Sequence, residues 1–171
     1  MHNASKLSIL ANNLDNLSDV RYFAAMGADF LGFSLQKLPF EKIIELVNWT
    51  EGPAILWDLR PNDFIPNEQL SSMAQALIVS KYEKEKYVNK TIFTEDYRTL
   101  YPGVNYIISV DAPIEELYNK GHHLYLDTQG VNQDIFETIR PYLRGLLISG
   151  GQEIKPGLKD YERLEEIFSW V

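Results

Sequence analysis

Asp19-Val-Arg-Tyr-Phe-Ala-Ala-Met-Gly-Ala-Asp-Phe-Leu-Gly-Phe33 reads as the end of a helix, a Gly turn and then a buried strand. Its counterpart, Ile148-Ser-Gly-Gly-Gln-Glu-Ile-Lys-Pro-Gly-Leu-Lys-Asp160, reads as a buried strand running into a Gly-rich turn before a last helix. Strand-to-helix turns of this kind are where α/β proteins bind phosphates. Outward from these two segments, apolar, β-branched or aromatic runs recur at Leu7–Asn12, Phe30–Leu35, Ala54–Leu59, Ala76–Ser80, Thr91–Thr94, Tyr106–Val110, His123–Asp127 and Gly145–Ser149. Each is a predicted strand. Between most of them lies helical spacing: Leu17, Val20 and Ala24 with Phe23 beside them; Phe40, Ile43, Ile44 and Val47, opened by Pro39; Ile114–Leu117; Ile135–Ile139; Tyr161–Phe168.

This alternation predicts a parallel sheet with helical crossovers. Eight units of that kind close a compact (β/α)8 TIM barrel, although about 200 residues is the usual lower limit for the fold. The chain has 171 residues. The compression falls between Ala76 and Val110, where Tyr97-Arg-Thr-Leu-Tyr101 supplies about one helical turn. Without a strand at Thr91–Thr94 the barrel is incomplete, and an open doubly wound sheet is the alternative. Pro61-Asn-Asp-Phe-Ile-Pro66 reads as a loop, and no repeat, low-complexity tract or linker divides residues 1–171, which predicts one domain.

Composition narrows the function. Hydrophobic residues make up 45% of the chain, enough for a full core. With 16 basic against 24 acidic residues the net charge is -8, and no basic cluster stands out, which argues against a nucleic-acid partner. No apolar run approaches the ~20 residues of a membrane helix, and Met1-His-Asn-Ala-Ser-Lys6 lacks the build of a signal peptide, so a cytoplasmic location with no membrane partner is expected. The chain has no cysteine, hence no thiol base, thiolate metal site or disulfide.

Three motifs in order resemble the phosphoribosylanthranilate isomerase family, a (β/α)8-barrel enzyme of tryptophan biosynthesis. Gly27-Ala-Asp29 followed by Gly32-Phe33 is similar to the family's opening unit. Ser149-Gly-Gly-Gln-Glu153 followed by Pro156-Gly-Leu-Lys-Asp160 is similar to its closing Ser-Ser-Gly-Val-Glu, Pro-Gly and Lys-Asp. Leu124-Tyr-Leu-Asp-Thr128 is similar to the Leu-Leu-Asp-Thr that ends its sixth strand. The resemblance implies an Amadori rearrangement of an aminoaldose phosphate to an aminoketose phosphate, by a general acid and a general base and with no cofactor.

By that resemblance Asp127 is the general acid, and Ser149, Gly150 and Gly151 form the phosphate turn. The family's base is a Cys ending its first strand; counting back without a gap from Gly27 puts Asn12 there, with Asn13 beside it. An amide is no base at neutral pH. The Asp two residues before the closing Ser-Ser-Gly corresponds to Leu147, and the Arg that grips the anthranilate carboxylate has no counterpart, since Ser34-Leu-Gln-Lys-Leu-Pro39 offers only Lys37. The segment between Asp127 and Ser149 is also short, as though one strand-helix unit were missing or displaced to the Thr91 region.

Each candidate has a plainer reading. Asp127 also suits the cap of the next turn; Gly150 and Gly151 also suit a turn that needs positive φ. Asp58, Asp111 and Asp127 would share one rim, but their spacing shows no cation motif, and no metal is expected. Such a ring disfavours an anion unless Arg60, Lys37, Lys81 or Lys155 offsets it. Asn12, Lys37 and Asp58 remain candidate substrate contacts. His122 and His123 start a strand, on the face away from the rim. Lys81-Tyr-Glu-Lys-Glu-Lys86 reads as a solvated helical face, and Trp49, Trp57 and Trp170 as packing residues. Three functions stay open: a barrel that has lost isomerase activity and keeps a phosphorylated-metabolite or anion site, an active isomerase with a substitute base such as Asp58, and a non-catalytic interaction scaffold.

Overall fold

The computed structural model describes residues 6–65, 68–83, 85–87, 89–150, 153–155, 158–159 and 161–171. Eight parallel strands close into a barrel in chain order: β1 (Ser8–Asn12), β2 (Phe30–Ser34), β3 (Ala54–Asp58), β4 (Ala76–Val79), β5 (Thr91–Thr94), β6 (Asn105–Ile108), β7 (His123–Asp127) and β8 (Gly145–Ser149). Closure depends on two seams. At one, β1 pairs with β8 from Ser8↔Gly145 to Asn12↔Ser149. At the other, β5 pairs with β4 from Ala76↔Thr91 to Val79↔Thr94, and with β6 through Phe93↔Asn105 and Thr94↔Tyr106. β5 is therefore bonded on both sides, and no open sheet edge remains in the barrel.

Alternation along each strand sorts side chains into two cores. Leu10, Leu56, Ala76, Ile78, Phe93, Ile107, Tyr125 and Leu147, with Phe30 against them, fill the interior. Phe93 is the centrepiece, its ring 5.5 Å from that of Phe30 and 4.9 Å from that of Tyr125, both edge-on. Neighbouring positions such as Ile9, Leu31, Phe33, Trp57, Leu77 and Leu126 face outward into the larger core beneath the helices.

The helices are α1 (Leu17–Ala25), α2 (Phe40–Val47), α3 (Glu68–Met73), α4 (Ile114–Asn119), α5 (Gln133–Ile139) and α6 (Glu162–Phe168). Sequence explains their limits. Asn16 caps α1 by accepting from Asp19 N at 3.0 Å, and Asn132 caps α5 by accepting from Ile135 N at 2.9 Å. Pro39 takes the N-cap position of α2. At the end of α1, Ala28 N donates to Phe23 O and Gly27 N to Ala24 O, tying off the last turn before β2 begins.

Four expectations need correction. The charged run at Lys81–Lys86 is not helical where it is described: no helix occurs among the described residues between β4 and β5, and Lys86 Nζ donates to Asp63 O at 2.9 Å. Nor do Tyr97–Tyr101 form a helical turn between β5 and β6. In place of two helices, Tyr82, Tyr87, Tyr97, Leu100 and Tyr101 pack onto the strand faces, with Tyr106 Oη accepting from Tyr101 N at 2.6 Å. The segment before the last helix is more than a turn, because β9 (Glu153–Lys155) and β10 (Leu158–Lys159) pair antiparallel. Trp57 and Trp170 are buried as expected, but Trp49 is 61% exposed, with the Arg21 guanidinium 5.1 Å above its ring. Among the described residues no helix is long and apolar enough to cross a membrane.

Candidate functional site

At the carboxyl ends of the strands, the inward-facing series Leu10, Leu56, Tyr125 and Leu147 continues two residues further on as Asn12, Asp58, Asp127 and Ser149. Four of the sequence candidates thus stand on one rim. Asn12 and Asp58 join: Asn12 Nδ2 donates to Asp58 Oδ2 at 2.9 Å, across the intervening strand β2. Gly32 makes this possible, because a Cβ there would lie 2.5 Å from Asn12 Oδ1 and 2.9 Å from Ala11 O. Asn12 is 1% exposed, and its Oδ1 has no hydrogen-bond donor among the described residues.

Asp58 is held from the other side by Arg60. Arg60 Nε donates to Oδ1 at 2.9 Å, Nη2 to Oδ2 at 2.6 Å, and the backbone N to Oδ1 at 3.1 Å. This is a bidentate fork, the strongest geometry for such a pair. Burial by itself raises the Asp58 carboxyl, but the hydrogen bonds from Arg60 and Asn12, with the Arg60 charge, outweigh it and hold Asp58 below the ordinary carboxylate value. The remaining Arg60 nitrogen, Nη1, donates to Glu95 just beyond β5. Burial opposes the Arg60 charge, yet Asp58 and Glu95 together raise its pKa further.

The other candidates are engaged differently. Asp127 Oδ1 accepts from Gln129 N at 3.0 Å, the turn-capping role that the sequence left open. Its strand is the seventh, β7, and not the sixth that the resemblance implies. Asp127 is level with Leu147, whose side chain is buried. Ser149 is exposed at the rim. Gly150 N donates to Asn12 O at 3.0 Å, so this amide extends the β1–β8 ladder. Gly150 is not among the positive-φ residues; a Cβ on it would lie 2.8 Å from Asp19 Oδ2. Close approach of Asp19, not turn geometry, is what this glycine accommodates. Gly151 lies outside the described residues. Lys37 Nζ donates to Asn13 Oδ1 at 2.9 Å on the exposed side of the rim.

Asp111 is exposed beyond β6, and no three His, Asp or Glu side chains among the described residues converge in a way that could hold a metal ion. His122 packs edge-on against Tyr106, 5.3 Å between centroids, at the opposite end of the barrel, and His123 is exposed there.

Three participants escaped the sequence reading. Asp19 is fully buried, accepts from Tyr161 Oη at 3.0 Å and from Asn16 Nδ2 at 3.0 Å, and ties α1 to the residue that precedes α6. Burial, then the Asp19 hydrogen bond and charge, push the Tyr161 hydroxyl up to about 12. Asp63 accepts from Ser80 N at 2.6 Å and Lys81 N at 2.9 Å, covering the amides at the end of β4. Glu95 lies just beyond β5, and nothing in its local sequence marks it. Only the Asp58-x-Arg60 spacing, which brings a carboxylate and a guanidinium together at a strand end, carried a local signal.

No sequence profile of a known family matches the chain, and no curated protein matches it by sequence. Solved structures do. Phosphoribosyl anthranilate isomerase from Thermus thermophilus superimposes with a TM-score of 0.71 at 16% identity, over 96% of this chain and 98% of that one. A phosphoribosyl anthranilate isomerase in complex with reduced 1-(o-carboxyphenylamino)-1-deoxyribulose 5-phosphate gives 0.67 at 16% identity, over 96% of each chain. A truncated 3-deoxy-D-arabino-heptulosonate 7-phosphate synthase from Thermotoga maritima gives 0.65 at 10% identity, over 95% of this chain and 84% of that one. The fold is that of a (β/α)8 barrel. Within that class it is phosphoribosylanthranilate isomerase-like, a likeness of backbone.

Proposed function

We propose that this chain is a phosphoribosylanthranilate isomerase-like barrel that does not catalyse the isomerisation and binds a small phosphorylated metabolite or other small anion at the carboxyl ends of its strands. The observation that carries the first part is Asn12, which stands where the resemblance puts the base and whose amide is bonded to Asp58. A general base typically contributes ~10²–10⁴-fold. Asp58 is no ready substitute, because both its oxygens are bonded and Arg60 lowers its affinity for a proton. Asp127, one strand away from its counterpart in the resemblance, caps a turn.

The ligand part rests on the donors at the rim, Arg60 foremost, with Lys37 and Ser149. One observation favours a pure scaffold instead: Gly150 N already donates to Asn12 O, and the absence of its side chain is explained by Asp19. The first part is tested by supplying phosphoribosylanthranilate and following the loss of its fluorescence. The decay is expected to match that of substrate alone. Turnover that Asp127→Asn abolishes would overturn the reading.

A further inference from the structure

We propose that Arg60 anchors a binding site for a small oxyanion, a carboxylate or a phosphate, on the β3–β5 side of the barrel mouth, and that Glu95 is its internal occupant, displaced when the ligand binds. This rests on the reading that the mouth binds an anion. It goes beyond that reading by placing the site away from Ser149 and Gly150 and by assigning a competitor within the chain.

The two carboxylates on Arg60 are not equivalent. Asp58 takes Nε and Nη2 side-on, its side chain is 7% exposed, and Asn12 braces it from behind. That half fixes the direction of the guanidinium. Glu95 takes Nη1 from beyond β5, a strand further round the barrel than β4, and its side chain is 56% exposed. An exposed carboxylate on a flexible stem gains little from such a pair and exchanges readily. A carboxylate ligand at the same nitrogen replaces the lost hydrogen bond one for one, and a phosphate offers further acceptors to the same planar fork.

A second arginine, on the loop after β5, lacks this construction. Arg98 pairs with Asp96 two residues away, but its side chain is 85% exposed and nothing buried orients it. Beside Arg60, Ser80 Oγ donates to Pro61 O, and the Ser80 and Lys81 amides hold the Asp63 carboxylate. The same sector therefore shows the same arrangement twice: donors suited to an oxyanion, each filled by a carboxylate of the chain.

The test is a titration with inorganic phosphate at constant ionic strength, with chloride as the control, read by NMR at the Arg60 Nε–H and at the rim amides. The Arg60 signal is expected to shift saturably, and Glu95→Gln to bind phosphate ~3–10-fold tighter, since it removes a competing exposed charge without touching the core. Arg60→Lys, which keeps the charge and loses the fork, should bind more weakly than the wild type. A parallel titration with acetate separates the two ligand sources by which anion binds tighter. Phosphate affinity unchanged in Glu95→Gln would overturn the role of Glu95. Shifts at Ser149 and Gly150 with Arg60 still would overturn the site but leave an anion-binding mouth standing. No shift at any of them, in either protein, would remove both.

Discussion

At the scale of single residues, the rim is decided by who can reach whom. Asn12 was identifiable by counting back from Gly27, but its partner was not, because nothing local says that Gly32 leaves a gap through which the amide meets Asp58. Gly32→Ala is therefore expected to destabilise by about 1–3 kcal/mol, the usual cost of overpacking, since two of the atoms its Cβ would meet, Asn12 Oδ1 and Ala11 O, lie within 3.0 Å. Urea unfolding measures it. Asn12→Ala removes one donor from a buried carboxylate that keeps Arg60, so a loss of about 1–2 kcal/mol is expected by the same method. Gly150 does not have the positive φ that its sequence suggests, and the side chain it lacks would meet Asp19. Its neighbour Asp19 binds Tyr161, 142 residues on, and no local pattern encodes such a contact.

At the scale of elements, the strands were legible nearly to the residue and the connections around β5 were not. A period-2 run bounded by polar residues carries its own signature, and His123–Asp127 and Gly145–Ser149 have the predicted limits. The charged run after β4 has helix-favouring residues, but the connection is too short for a stable helix to pay its nucleation cost. Tyrosines cover the strands there instead. The short α3 was missed because Leu70 is its one buried residue and Ser71 and Ser72 favour helix weakly. Phe93, wedged between the rings of Phe30 and Tyr125, makes β5 a keystone of the interior. Phe93→Ala is expected to cost about 3–5 kcal/mol, the range for a truncated core aromatic, in a denaturant melt. Tyr106→Phe, which removes the acceptor for Tyr101 N, should cost about 0.5–1.5 kcal/mol.

At the scale of the whole molecule, the barrel keeps its frame while its mouth is closed upon itself. The first end motif spans the junction of α1 and β2, and the second begins on β8, at the seam that closes the barrel against β1. The candidate groups of the rim bond one another: Asn12 to Asp58 across β2, Arg60 to Asp58 two residues back and to Glu95 beyond β5, Gly150 to the end of β1. This gives stability a pH dependence with a definite sign. A carboxyl whose folded pKa is lowered stabilises the fold fully above its unfolded value of about 3.9 and loses that contribution as pH falls through the folded value. The wild type is thus expected to lose stability below about pH 4 by more than Asp58→Asn does, in thermal melts compared across that range. The most direct measurement is the carboxyl carbon shift of Asp58, followed by NMR from neutral pH downward. A midpoint below the ordinary Asp value of about 3.9 is expected, as for an ion-paired carboxylate that cannot serve as a base; a midpoint raised toward neutrality, at about 6–7, would mark a working general base and contradict the inactive reading.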